Sequence, residues 1–243
     1  MKRHIPNLIT SCNLLCGALA VISAADGLFA RAFLFVLLGA MFDFFDGMVA
    51  RLLKVSGPLG VQMDSLADDI TFGLAPAVML FRFLRPAIGN WSLLVLLMAA
   101  FAAYRLAKFN IDTRQTTSFR GIATPANAIF WGGITCLPGV VLQIEICGMP
   151  LIPWLLLAMS MVSGWLMVSD IPFFSLKIHG WSWQENKTQY IFLVGCLILI
   201  GVCIAEGIRY NNIGLTFFAG TACIVWYVMM NCINILLNKS ANE

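Results

Sequence analysis

The residues of this 243-residue sequence that could do chemistry are four aspartates inside two strongly apolar segments. Asp43 and Asp46 are three residues apart, and Asp64 and Asp68 are four apart. Each spacing puts the two carboxylates on one face of a helix. A carboxylate at the centre of a bilayer costs about 2.5 to 3.5 kcal/mol even on the lenient insertion scale, so several in one region indicate a function. Small residues share the two acidic faces: Gly47, Ala50 and Gly60.

Four carboxylates that converge would repel one another, so an ionised cluster requires bound cations. Oxygen ligands alone favour the hard ions Mg²⁺, Mn²⁺ or Ca²⁺. A single aspartate could instead pair with an arginine or cap a helix, but four on two matched faces weaken that structural interpretation. Asp69 points about 100° away from Asp68, so the role of a supporting polar group suits it better.

The elements that carry these residues are predicted to be transmembrane helices. Hydrophobic residues make up 60% of the chain and charged residues 11%, with a mean hydropathy of +0.87. The apolar runs are about 20 residues long, which suits helices that cross about 30 Å of hydrocarbon. We therefore expect an all-α polytopic bundle forming a single membrane domain over residues 1–243. Eight spans are predicted, near residues 7–25, 29–53, 61–82, 88–109, 122–143, 149–169, 188–207 and 212–236.

Two parts of this assignment need comment. The proline- and glycine-rich junction around Glu145 could turn the fifth and sixth spans into one broken hairpin, so six spans would also fit. The first apolar run follows Lys2 and Arg3 and imitates a signal peptide, but polar residues interrupt its apolar region, so it is assigned as the first span.

The basic residues predict the orientation. With both termini in the cytoplasm, eleven of the fifteen Lys and Arg residues lie on that side, which satisfies the positive-inside rule. These are Lys2, Arg3, Arg51, Lys54, Arg105, Lys108, Arg114, Arg120, Lys177, Lys187 and Lys239. All four aspartates then occupy the cytoplasmic half, which favours an active site facing the cytoplasm over a path through the membrane.

Other sites are not favoured. The eight cysteines include no CxxC pair, and the chain has two histidines, so neither disulfides nor a zinc site are expected. The net charge of +3 comes without a basic run, so nucleic acid is not an expected partner.

The segment from Asp43 to Asp68 resembles the signature of the CDP-alcohol phosphatidyltransferase family. It reads DFFDGMVARLLKVSGPLGVQMDSLAD and matches D-x2-D-G-x2-A-R-x8-G-x3-D-x3-D at all eight fixed positions. The resemblance implies a two-metal site, with Mg²⁺ or Mn²⁺ and no organic cofactor, held by Asp43, Asp46, Asp64 and Asp68. It also implies that Asp68 takes the proton from the attacking alcohol while CMP leaves a CDP-linked lipid.

The flanking sequence is similar to the phosphatidylserine synthase branch of that family. The similar stretches are PNLITSCNLLCG, DSLADDITFGLAPA, RLAKFN and FRGIATPANA, within a core of residues 1–130, and residues 145–243 are predicted to add further helices. The last stretch has Ala123-Thr124 where the branch commonly has Leu-Pro. The likeness implies CDP-diacylglycerol and L-serine as substrates, a homodimer, and a place in the cytoplasmic (inner) membrane.

Further site residues are implied by the same likeness. Those expected to bind the nucleotide or lipid phosphate are Asn7, Thr10, Asn13, Gly47, Ala50, Arg51 and Gly60. Those expected to bind serine are Arg105, Asn110 and Arg120, because arginine matches a carboxylate bidentately. Capping, interhelical hydrogen bonds and positive-inside anchoring would also explain several of them. Another acceptor, such as an inositol phosphate, glycerol 3-phosphate or choline, would keep the acidic core, and a cation or proton transporter is the alternative from a different class.

Overall fold

The computed structural model describes residues 4–55, 57–111, 119–144, 150–173 and 186–240. Some residues used in the sequence argument lie outside these ranges, namely Lys2, Arg3, Arg114, Glu145 and Lys177. Within the ranges the chain forms nine α-helices: α1 His4–Ala25, α2 Phe29–Leu53, α3 Pro58–Asp68, α4 Ala75–Ile88, α5 Leu97–Ile111, α6 Thr124–Thr135, α7 Leu151–Val168, α8 Lys187–Arg209 and α9 Ile213–Ser240. The predicted all-α membrane bundle is confirmed.

Six helical stretches of the described chain are long and apolar enough to cross a membrane. They are His4–Ala25, Phe29–Leu53, Pro58–Ile111, Leu151–Val168, Lys187–Arg209 and Ile213–Ile235. The chain is therefore an integral membrane protein. The stretch Pro58–Ile111 has 54 residues, which would extend about 80 Å as one straight helix and so exceeds a single crossing of about 30 Å.

That long stretch folds back on itself at Gly89, whose φ of +56° ends α4 in a conformation that glycine adopts without strain. After Gly89 a 3₁₀ segment, Gly89–Leu96, packs against α4 and continues into α5, while α3 also packs against α5. The third and fourth predicted spans correspond to the two arms of this hairpin. The fifth corresponds to α6, which has only 12 residues and is followed by a short 3₁₀ segment, Gly139–Gln143. The total of eight spans stays a prediction.

A π-helical segment, Asp69–Leu74, joins α3 to α4 without a break. Segments of this kind are rare and often occur at functional sites. Thr71 in this segment is fully buried and lies against two glycines of neighbouring helices, Gly17 and Gly39. A Cβ atom at Gly17 would lie 2.9 Å from the Thr71 Cα, so only glycine permits this approach between α1 and the π-helical segment.

A short strand pair closes one end of the bundle. β1, Phe119–Arg120, pairs antiparallel with β2, Pro172–Phe173, and the Gly121 amide donates to the Ile171 carbonyl oxygen at 2.9 Å. Gly121 has a φ of +72°, and a Cβ atom there would lie 2.8 Å from the Leu166 carbonyl oxygen. The start of α6 is therefore fixed to the end of α7, at the end of the bundle where α2 and α5 also terminate.

Candidate active site

Three of the four predicted aspartates form a compact cluster. One carboxylate oxygen from each of Asp43, Asp64 and Asp68 lies within 4.8 Å of the others. Asp43 comes from α2 and the other two come from α3, so the helix spacings read from the sequence do bring the acids together. The Asp64 Oδ1 atom is buried and has no hydrogen-bond partner among the described residues. An all-carboxylate donor set with an unpaired buried oxygen fits a divalent cation.

The fourth aspartate, Asp46, is buried on the same helix as Asp43 but lies outside that three-residue cluster. Its Oδ2 atom accepts a hydrogen bond of 2.6 Å from the Thr10 hydroxyl on α1. The structure thus gives Thr10 a carboxylate partner, whereas the family resemblance implied a contact with the nucleotide or lipid phosphate.

Asn13, also on α1, likewise donates to an aspartate, in this case Asp68, the residue predicted to accept the proton. Its side-chain amide donates to the Asp68 Oδ1 atom at 3.0 Å, and Asn13 is fully buried. The Thr71 hydroxyl donates to the Asn13 backbone carbonyl oxygen at 3.1 Å. The π-helical segment therefore holds the part of α1 that positions Asp68.

A cleft of about 290 Å³ lies on one side of the aspartates, between α1, α2 and the start of α3. Its walls include most of the residues predicted to bind the nucleotide or lipid phosphate, namely Asn7, Thr10, Gly47, Ala50, Arg51 and Gly60, together with Asp46 and Asp64. At Gly47 a Cβ atom would project into open space, while at Gly60 it would lie 3.4 Å from the Asn7 Oδ1 atom. Asn13 is not among the cleft residues.

A second pocket of about 330 Å³ lies on the other side of Asp64 and is lined by Asp68, Arg105, Asn110 and Thr124 among others. The Arg105 Nη1 atom donates to the Thr124 hydroxyl oxygen at 3.3 Å, and its buried Nε atom has no partner in the described chain. Asn110 donates to the Ser65 hydroxyl oxygen at 2.8 Å. The two pockets share Asp64, so two substrates could meet at the cluster from opposite sides.

The third predicted serine ligand, Arg120, lies beside this pocket and does not line it. It shares a smaller basic pocket with Arg105 and Lys108. The Lys108 Nζ atom lies 3.2 Å from the Asp170 Oδ1 atom, and the Arg120 Nη1 atom lies 3.9 Å from the same oxygen. Asp170 therefore compensates two of the three cations.

Comparison with known protein families shows the family to which the chain belongs. The model of the CDP-alcohol phosphatidyltransferase family matches residues 3–176, which is most of the chain and includes both pockets. The chain belongs to this family.

The chain is also similar in sequence to several curated proteins whose names refer to serine or to a lipid of serine. The chain is 34% identical over 181 residues to the CDP-diacylglycerol–serine O-phosphatidyltransferase of Bacillus subtilis, covering 72% of this chain and 93% of the relative. It is 29% identical over 239 residues to the protein of the same name from Helicobacter pylori strain 26695, covering 97% and 96%. It is also 34% identical over 134 residues to the archaetidylserine synthase of Methanothermobacter thermautotrophicus, covering 51% and 54%.

Several residues of this candidate site were not predicted from the sequence. Ser65 and Thr124 hold Asn110 and Arg105, and Asp170 holds Lys108 and Arg120. Thr124 stands in the quoted FRGIATPANA stretch, so a signal existed for it. Asp170 lies 62 residues beyond Lys108, and no local spacing connects the two.

Proposed function

We propose that this chain transfers a phosphatidyl group from CDP-diacylglycerol to L-serine, giving phosphatidylserine and CMP. The single observation that carries the proposal is the aspartate cluster between two pockets, one of which has the acidic, glycine-lined wall of the family signature. The names of the Bacillus and Helicobacter relatives support serine as the acceptor.

Asp43, Asp46, Asp64 and Asp68 would hold the divalent cations, Mg²⁺ or Mn²⁺. Bound in pairs, such ions supply charge stabilisation to the attacking and leaving oxygens of a phosphoryl group. The chain's own residues orient the aspartates and make room for the substrate. Thr10 orients Asp46, Asn13 orients Asp68, and the open side of Gly47 leaves room for the nucleotide and its phosphates.

In the proposed reaction the serine hydroxyl oxygen forms a bond to the phosphatidyl phosphorus, and the bond from that phosphorus to the CMP oxygen breaks. The hydroxyl proton passes to the Asp68 carboxylate, and CMP departs with the electron pair. The amide of Asn13 would hold the Asp68 carboxylate in position for this proton transfer.

Arg105 is the proposed reader of the serine carboxylate. It lines the acceptor pocket with Asp64 and Asp68, and its Nε donor has no partner in the part of the chain described. A guanidinium with an unused donor is suited to a planar carboxylate. Asn110 lines the same pocket, whereas we assign Arg120 to the rim, where it contacts Asp170.

The proposal also places the aspartates at the cytoplasmic face of the inner membrane and the chain in a homodimer. Both follow from the predicted orientation and from the family resemblance. Labelling of single cysteines introduced beside Arg51 and Arg209, in a variant whose eight native cysteines are replaced, tests the orientation, and mass measurement in detergent tests the dimer.

The test of function is CMP release from CDP-diacylglycerol by the purified protein with Mg²⁺ or Mn²⁺. We expect release that requires L-serine, stops with chelator, and is abolished in Asp68→Asn while CDP-diacylglycerol binding is largely retained. Full activity of Asp68→Asn would contradict the role of that residue.

The choice of acceptor separates the remaining alternatives. Release with glycerol 3-phosphate, an inositol phosphate or choline, but not with serine, would keep the metal site and reject the serine assignment. Folded protein that releases no CMP with any acceptor would favour the transport interpretation.

A further inference from the structure

A separate groove lies among α6, α7 and α9, away from the aspartates. It encloses about 420 Å³ and is lined almost entirely by apolar side chains, among them Ile122, Leu155, Val162, Leu166 and Val225. Several of these side chains are exposed on helices of the membrane bundle, so hydrocarbon surrounds the groove in place of water.

One polar group in this groove is unexplained. Asn127 lines the groove and is only 3% exposed, and its side-chain nitrogen, Nδ2, has no hydrogen-bond partner among the described residues. The other polar side chain there, Ser163, is satisfied, because it donates to the Ser160 carbonyl oxygen and accepts from the Trp131 indole. An amide donor left unpaired in an apolar environment is strongly destabilising, so Asn127 points to a ligand that brings an acceptor.

The depth of Asn127 identifies the kind of acceptor. Asn127 is three residues, or about 4.5 Å, beyond Thr124, where α6 begins. The charged layer of Lys108, Arg120 and Asp170 lies at that end of the bundle. In a bilayer the atoms just below the charged headgroups are the ester carbonyls of glycerolipids, which are hydrogen-bond acceptors.

The length of the groove fits one lipid tail. Along α7 it runs from Leu166 to Leu155, which are eleven residues and about 16 Å apart. Half of a hydrocarbon core of about 30 Å is about 15 Å, so the groove spans one leaflet. Rotation about the terminal side-chain bond of asparagine has a low barrier. The Asn127 amide can therefore turn toward a carbonyl group at the Leu166 end of the groove.

We propose that this groove binds one acyl chain of a diacyl glycerophospholipid, whose ester carbonyl accepts a hydrogen bond from Asn127. The site is distinct from the substrate pockets and does not depend on the proposed reaction. The occupant is a bilayer lipid, because the groove's exposed walls and its leaflet-deep length match a tail, and its single free donor matches an ester.

The test places the full chain in nanodiscs of phosphatidylethanolamine and phosphatidylglycerol that contain a phosphatidylglycerol with a diazirine on its acyl chain. After irradiation, mass spectrometry locates and counts the labelled residues. We expect labels concentrated on α7 from Leu155 to Leu166 and on α9 from Ile224 to Met229.

Two variants and one control make the test specific. Asn127→Leu keeps the size of the side chain and removes the donor, so groove labelling should fall about threefold to tenfold. Val162→Trp fills the groove and should remove most of that labelling. Val202→Trp on α8 is the control, because Val162 and Val202 are both 55% exposed and only Val162 lines the groove.

Labelling spread evenly over the exposed helices, or unchanged in Val162→Trp, would overturn the proposal. So would a groove that takes no label while Val162→Trp converts a dimer into a monomer, since a second copy of the chain would then be the occupant. Should Asn127→Leu fail to fold, the comparison of Val162→Trp with Val202→Trp still decides the question.

Discussion

Asn13 separates two explanations of the polar residues on α1, so its replacement by alanine is the most informative substitution. The sequence suggested that Asn13 contacts the nucleotide, which would make its loss raise the KM for CDP-diacylglycerol. In the structure its amide donates to Asp68 at 3.0 Å and it does not line the nucleotide cleft. We therefore expect Asn13→Ala to lower kcat and to leave that KM within about threefold of the native value.

The size of the effect follows from the bond that is lost. A hydrogen bond to a charged group contributes about 1.5 to 3 kcal/mol, and each 1.36 kcal/mol changes a rate tenfold. If the Asp68 position matters fully in the transition state, kcat should fall about 10-fold to 150-fold. The assay is serine-dependent CMP release over a range of CDP-diacylglycerol concentrations in mixed micelles.

Ser11→Ala is the matched control for this variant. Ser11 is on the same helix, and its hydroxyl donates to the Asn7 backbone carbonyl oxygen at 2.9 Å without contacting an aspartate. Its kcat should stay within about twofold of the native value. An Asn13→Ala enzyme with native kcat and a tenfold higher KM would refute the positioning role and restore the nucleotide contact.

Three further substitutions test other parts of the site. Gly47→Ala puts a methyl group into the open cleft, so the KM for CDP-diacylglycerol should rise about tenfold while the melting temperature stays equal or increases, since alanine is favoured over glycine in a helix by about 0.5 to 1 kcal/mol. Gly201→Ala, where a Cβ atom also meets no neighbour, should change only the melting temperature, and equal KM values in the two variants would contradict the cleft assignment. Asp43→Asn should raise the Mg²⁺ concentration for half-maximal activity by at least about tenfold, and an unchanged metal titration would remove Asp43 from the ligand set. Asp170→Asn should free the two rim cations for phosphate and raise the use of glycerol 3-phosphate relative to serine up to about fivefold, whereas Asp26→Asn, which breaks an exposed pair with an arginine at the opposite end of the bundle, should leave that ratio unchanged.

The cluster of Asp43, Asp64 and Asp68 was predictable because helix geometry links spacing directly to position. Residues three or four apart share a face whatever surrounds the helix, so two acidic faces could be read from the sequence alone. The resemblance to the family signature then predicted that the face with Asp43 and Asp46 meets the face with Asp64 and Asp68. The bounds of α1, α2, α7 and α8 followed from the length of hydrocarbon that a span must cover, whereas α6 is much shorter than the predicted fifth span.

The partners of these residues were not predictable, because they depend on how separate helices approach one another. Asn13 and Asp68 are 55 residues apart, and their contact requires the close packing of Thr71 against Gly17 and Gly39. The π-helical segment that carries Thr71 has no marker in the sequence. Arg120 was assigned to serine from the family resemblance, its residue type and its predicted membrane face, but the pairing of the two short strands brings it to Asp170.

The polar residues of α1 explain how one apolar bundle accommodates four aspartates, of which Asp46 is buried and the other three are partly buried. Thr10 and Asn13 are three residues apart on the same helix, and each donates to one carboxylate: Thr10 to Asp46 of α2, and Asn13 to Asp68 of α3. A single helix thereby fixes carboxylates from both acidic helices relative to each other. The polar residues that interrupt the first apolar run are thus the ones that orient the aspartates. An α1 with an uninterrupted apolar face would still insert into a membrane, but it would leave Asp46 and Asp68 without these two donors.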